Sequence, residues 1–164
     1  MPALLGRLLL VACGAGLACV TGELCLRARL YGPAALSPAG MDSIRPIGNA
    51  GLLRPHPAWE VRFELRPNVK ARFKLVEFET SNVGLRDRPY DLAKPDGVVR
   101  LAFVGDSFTM GSGVALEDTF HSRLERTLAG PDGGPVECLN FGVAGYNLVS
   151  YEGVIREKVL AYQP

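Results

Sequence analysis

The stretch Val98 to Gly113, VVRLAFVGDSFTMGSG, constrains this chain more than any other. Val98, Val99, Leu101, Phe103 and Val104 make an apolar, β-branched run that reads as a buried strand. The run stops at Gly105-Asp106-Ser107, and a mostly small-residue loop follows from Thr109 to Ala115. A buried strand that ends so abruptly belongs in an α/β sheet, where ligands gather beyond the carboxyl ends of the strands. A serine on such a corner presents its hydroxyl with backbone N–H groups close by. Ser107 is therefore the candidate nucleophile. Gly105 and Asp106 shape the turn, Asp106 by accepting N–H groups rather than by acting as a base.

The residues that follow predict a βαβ unit. Asp118 can cap a helix from Thr119 to about Ala129, with Phe120, Leu124 and Leu128 as one buried stripe. Pro131-Asp132-Gly133-Gly134-Pro135 ends that helix, and Val136 to Phe141 reads as the next strand. The two strands should then be parallel, with a right-handed crossover. Leu148, Tyr151, Ile155, Val159 and Tyr162 mark a second amphipathic helix with Asn147 near its start. His121, beside Phe120 in the first turn of the first helix, is expected to face solvent and is not taken as a base.

Upstream, residues 1–30 hold one basic residue, Arg7, an apolar run from Leu8 to about Gly22, and then Glu23, Arg27 and Arg29. A membrane span needs about 20 apolar residues, which Ala3 to Leu26 supplies with Arg7 and Glu23 near the ends. A single-pass signal anchor is the preferred reading. A cleaved signal peptide, a lipoprotein box at Leu10-Val11-Ala12-Cys13 and a buried helix are the alternatives. Residues 31–58, rich in Pro, Gly, Ala and Ser, read as a linker, with His56 an exposed loop histidine. In the lead-in 59–97, Trp59 to Leu65 and Ala71 to Glu79 each alternate apolar and charged residues, which predicts a β-hairpin between them.

Two blocks of the chain resemble a known family. Phe103-Val104-Gly105-Asp106-Ser107-Phe108-Thr109 is similar to the first block of the SGNH (GDSL-type) hydrolases, and Asn140-Phe141-Gly142-Val143-Ala144-Gly145-Tyr146-Asn147 to their second. Ser81-Asn82-Val83-Gly84-Leu85-Arg86-Asp87 resembles a lead seen in membrane-tethered members. The resemblance implies an α/β fold: residues 98–164 as the N-terminal part of a flavodoxin-like three-layer α/β/α sandwich, preceded by a transmembrane helix and a β-hairpin. It also implies Ser107 as nucleophile and the backbone N–H groups of Ser107 and Gly145 as the oxyanion hole. The substrates would be acyl esters, O-acetylated carbohydrate among them, cleaved on the outer side of the membrane without metal or organic cofactor. The family's later blocks, an Asn donor and an Asp-x-x-His pair, are not in this sequence. A partial, poorly active hydrolase domain is therefore expected.

A net charge of +1 with both signs mixed gives no case for a nucleic-acid partner. Of the four cysteines, Cys13, Cys19 and Cys25 lie in or beside the apolar segment and Cys138 in a strand, so no structural disulfide is expected. Two other functions stay open on the residues alone. One is a flavodoxin-like module cradling a phosphate with Ser107, Thr109, Ser112 and the glycines. The other is a non-catalytic membrane-anchored fragment that only binds partners.

Overall fold

A computed structural model of the chain describes residues 2–129 and 134–164. The Pro131 to Gly133 part of the expected turn lies outside the described residues. The chain divides into two compact units, Met1–Ile44 and Arg45–Pro164.

The first unit is dominated by α1 (Pro2–Tyr31). Leu4–Tyr31, 28 residues containing an 18-residue stretch of mean hydropathy 2.0, is long and apolar enough to cross a membrane. At 1.5 Å per residue it reaches about 42 Å, more than a hydrocarbon core of about 30 Å. The apolar side chains lie all round the helix, as a lipid-facing helix requires and a surface helix does not. Near its C-terminal end Arg27 donates to Glu23 one turn earlier at 2.5 Å, which offsets two charges that would otherwise enter the apolar region singly. The expected linker is only partly irregular: Pro38–Ser43 forms a short helix, α2, and Leu53–Pro55 is a strand, β1.

In the second unit the described residues form three two-stranded sheets. β1 pairs antiparallel with β2 (Phe63–Leu65), Arg54 opposite Glu64. β3 (Lys70–Phe73) pairs antiparallel with β4 (Val76–Glu79). The hairpin expected between the Trp59 and Ala71 stretches is thus replaced by two separate pairings. Lys74 and Leu75, both at positive φ (49° and 69°), make a two-residue turn inside the second stretch, which folds back on itself. The first stretch then finds its partner in the Pro-rich segment before it.

The third sheet is the predicted parallel pair, β5 (Val99–Phe103) and β6 (Val136–Asn140), in register Val99 with Val136 through Phe103 with Asn140. Between them run α3 (Ser107–Met110) and α4 (Phe120–Leu128), and α5 (Leu148–Glu157) follows β6. Arg100, 3% exposed, ties the pair together: it reaches Glu137 on β6 at 2.7 Å and donates to the carbonyls of Leu92 and Tyr162.

α4 buries a different face from the one periodicity suggests, and the expected stripe on α5 and the turn after it holds only in part: Val159 and Tyr162 are buried and Tyr151 is half-buried. On α4 Phe120 is 48% exposed and Leu128 is exposed, whereas His121 is only 1% exposed. Polar partners on β6 and on the 85–90 segment fill the space beneath α4, so its polar residue turns inward. Asp118 does not cap this helix; it pairs with Arg123 at 2.8 Å, and Thr119 stands at the cap position. On α5 Ser150, Gly153 and Val154 face the core, while Leu148 and Ile155 are exposed. The small residues are what let α5 lie close to the segment before β2, where a Cβ on Gly153 would come within 2.8 Å of Glu60 Cβ. Two ion-pair contacts clasp the same surfaces, Arg156 to Glu60 at 2.9 Å and Lys158 to Glu64, which also holds Arg54. Phe73, Phe78, Leu65, Phe141, Met110 and Tyr162 sit in the core these elements enclose.

Candidate functional site

The two candidate loops leave the parallel sheet side by side. Pairing continues past the strands: Phe141 N–H donates to Phe103 O at 2.8 Å and Val143 N–H to Gly105 O at 3.1 Å. Ser107 and Gly145 each lie two residues beyond that last bond, so both stand at the carboxyl edge of the sheet, where α/β folds place ligands. Gly105, buried, supplies the shared carbonyl.

Asp106 caps α3, its Oδ1 accepting the Phe108 N–H at 2.9 Å, which is the turn-shaping role expected of it. That cap makes Ser107 the first helical residue, half-buried, with its carbonyl taken by Ser112 N–H at 2.9 Å. In the second loop Tyr146 N–H closes a turn onto Val143 O at 3.1 Å, with Gly145 at φ +93°, a conformation that L side chains resist. Asn147 caps α5 through Val149 N–H and Ser150 N–H. Among the described residues, neither the Ser107 N–H, the Gly145 N–H nor the Ser107 hydroxyl is engaged by a protein partner. Two donors and one hydroxyl at a sheet edge are thus without a protein partner among the described residues. Two exposed apolar residues adjoin the loops in the chain: Phe108, next to Ser107, is 86% exposed and Leu148, at the start of α5, is 81% exposed.

Behind this edge lies a buried polar network that the sequence reading does not assemble. Asn140 Oδ1 accepts the Gly142 N–H at 2.9 Å, which turns the amide nitrogen toward His121 Nδ1 at 3.4 Å. That orientation makes Nδ1 an acceptor and leaves the ring proton on Nε2, 3.6 Å from Asp87 Oδ2. Asp87 also accepts N–H bonds from Arg88 at 2.8 Å and Asn140 at 3.0 Å, and the Tyr90 hydroxyl at 3.2 Å. Burial pushes Asp87 up to about 7 despite these donors, and burial with the nearby Arg86 charge pushes His121 down to about 4. His121 therefore sits neutral in the interior rather than facing solvent. The ring nitrogens contact Thr119, Ser122, Asn140 and Asp87, none of them Ser107. His56, half-buried, accepts the Ala58 N–H on Nδ1 at 3.1 Å and lines a separate cleft of about 520 Å³ with Arg54 and Lys158. The sequence reading names the network's members separately, the Arg86-Asp87 pair in the lead, His121 beside Phe120 and Asn140 at the head of the second block, without bringing them together.

These two shifts oppose each other in their effect on stability. Asp87, raised from 3.8 to about 7, keeps its proton in the fold and favours folding most at low pH, a contribution lost as pH rises toward 7. His121, lowered from 6.5 to about 4, favours folding above pH 6.5, a contribution lost as pH falls toward 4. Between those limits the pair adds no net slope. Urea midpoints across this range should show His121→Asn gaining stability as pH falls and Asp87→Asn losing it. Parallel pH curves for wild type and both variants would refute the assignment.

Comparison with protein-family models, with curated proteins and with solved structures finds no match to this chain.

Proposed function

We propose that the chain carries the nucleophile and oxyanion half of an SGNH-type serine acyl-ester hydrolase, held to a membrane by α1 as a single-pass anchor with the hydrolase part on the outer side. In this reading β5, α4 and β6 begin a flavodoxin-like α/β/α sandwich. The observation that carries it is the meeting of two loops at one sheet edge, with the Ser107 hydroxyl and the Ser107 and Gly145 N–H groups all unspent.

The chemistry follows from that inventory. Oγ of Ser107 bonds to the acyl carbon of an ester, the carbonyl oxygen gathers negative charge, and the two N–H groups stabilise it. The leaving alkoxide takes a proton from water and departs as the alcohol; hydroxide or water then attacks the acyl-serine, releases the acid and restores the hydroxyl. Among the described residues no imidazole or carboxylate contacts Ser107 Oγ, so its proton passes to solvent hydroxide. The rate should be low at neutral pH and climb with pH. No metal or organic cofactor enters these steps. The substrate in this reading is an acyl ester, O-acetylated glycan included.

Acyl trapping tests the reading. The full chain in detergent micelles is mixed with p-nitrophenyl acetate, quenched in acid and mapped by peptide mass. An acetyl group on the peptide holding Ser107 is expected; acetylation only elsewhere, or none, would overturn the proposal.

A further inference from the structure

The segment that leads into β5 contributes two neighbouring buried ionisable side chains that the ester chemistry does not use. Arg86 is 0% exposed. Its Nη1 donates to the carbonyls of Met110, at 2.9 Å, and Gly111, and its Nη2 to that of Val114. These carbonyls end α3 and form the turn after it, three to seven residues beyond Ser107. The guanidinium carbon also lies 4.9 Å from the ring centroid of Phe78, itself fully buried, which stops the fork from swinging aside. A planar guanidinium can reach several carbonyls at once in a fixed geometry, which an ammonium on a flexible stem cannot.

Asp87, the next residue, holds the other loop. It accepts the N–H of Asn140, the last residue of β6, and Asn140 Oδ1 accepts the Gly142 N–H, three residues before Gly145. The Asn140 amide nitrogen also reaches the Arg86 carbonyl at 3.5 Å, closing the loop of contacts on the same dipeptide. The two candidate loops are therefore fastened to two side chains that share one peptide bond.

We infer that Arg86 and Asp87 are paired positioning residues: Arg86 sets the loop of Ser107, Asp87 acts through Asn140 to set the loop of Gly145, and the peptide bond between them fixes the spacing of nucleophile and second donor. The inference rests on reading the two loops as an acyl-ester site. Its mechanical part, that each residue locks its own loop, can be measured apart from turnover.

The experiment uses the full chain in detergent micelles and reads residue-resolved amide hydrogen exchange beside p-nitrophenyl acetate turnover. Arg86→Lys should speed exchange at Gly111, Ser112 and Val114 by about 10-fold or more, and Asp87→Asn should do the same at Asn140 and Gly142, while the amides between β5 and β6 stay within about twofold. Both variants should lower kcat by about 10-fold with KM unchanged, the signature of a misplaced reacting group. In Arg86→Ala, added methylguanidinium should restore slow exchange at the same three amides and sodium should not. Unchanged exchange in either loop overturns the inference, as does a uniform rise that includes the β5–β6 amides. Local exchange changes with kcat unaltered overturn the positioning role. Local changes in a protein whose wild-type turnover does not depend on Ser107 uphold the two locks and defeat the ester reading instead.

Discussion

Replacing Gly142 with alanine should destabilise the unit of residues 45–164 by about 3 kcal/mol, at the upper end of overpacking costs. An added Cβ would overlap the backbone nitrogen of Met110 and come within 2.8 Å of both the carbonyl carbon and the Cβ of Thr109. Main-chain atoms cannot move aside as a flexible side-chain tip can. Either α3 shifts or the 141–145 loop does, and the second choice strains the Gly142 to Asn140 bond of 2.9 Å and the Val143 to Gly105 bond of 3.1 Å. Urea unfolding followed by far-ultraviolet circular dichroism measures the loss. A change below about 1 kcal/mol, the scale of an ordinary substitution, would mean that the loops do not touch as described. The position is a demanding one because the backbone of one candidate loop rests directly on the other.

Turnover of a short p-nitrophenyl ester should fall by about 100-fold or more in Ser107→Ala with KM unchanged, a loss of about 2.7 kcal/mol of transition-state stabilisation. The magnitude is set by what remains. Alanine keeps the backbone, so on the proposed reading the N–H donors of residues 107 and 145 would still face a bound carbonyl and favour attack by water. What would disappear is the proposed nucleophile, whose positioning beside an acyl carbon is worth several powers of ten when geometry is good. The effect is smaller than in a hydrolase with a complete triad, because no base contacts the Ser107 hydroxyl among the described residues. Initial rates at several pH values measure it, after subtraction of spontaneous hydrolysis. Equal rates in the two proteins would remove Ser107 from the reaction.

The parallel strands and the two turns that end them were legible because each rests on a local rule. β-branched runs at 99–103 and 136–140 read as strands, Asp106 and Asn147 sit where caps belong, and glycine stands where φ is positive at 145. What escaped depends on partners distant in sequence. β1 lies in a Pro-rich stretch whose strand character exists only through Leu65, Glu64 and Phe63 opposite it. The Lys74-Leu75 turn carries no local signal, because it lacks the Asn-Gly chemistry that usually marks a two-residue turn. On α4 a hydrophobic stripe predicts the buried face only when the surface beneath is apolar. Here Asp87, Asn140 and Tyr90 lie under the helix, so His121 turned in and Phe120 turned out. Arg86 gave no signal of burial for the same reason: its carbonyl partners at 110, 111 and 114 come from a turn that sequence alone does not bring to it.

The clasp between the start of this unit and α5 has a consequence during synthesis. Glu64 waits for Lys158, 94 residues later, and Glu60 waits for Arg156, 96 residues later. A ribosome delivers the chain from its N-terminus, so the surface around Val61 and Leu65 emerges into water long before the helix that covers it. If α1 is already lodged in a bilayer by then, the nascent chain is tethered while this greasy surface is bare. A holding chaperone at that stage would shelter a half-built protein, and closure of the last two ionic contacts would release it.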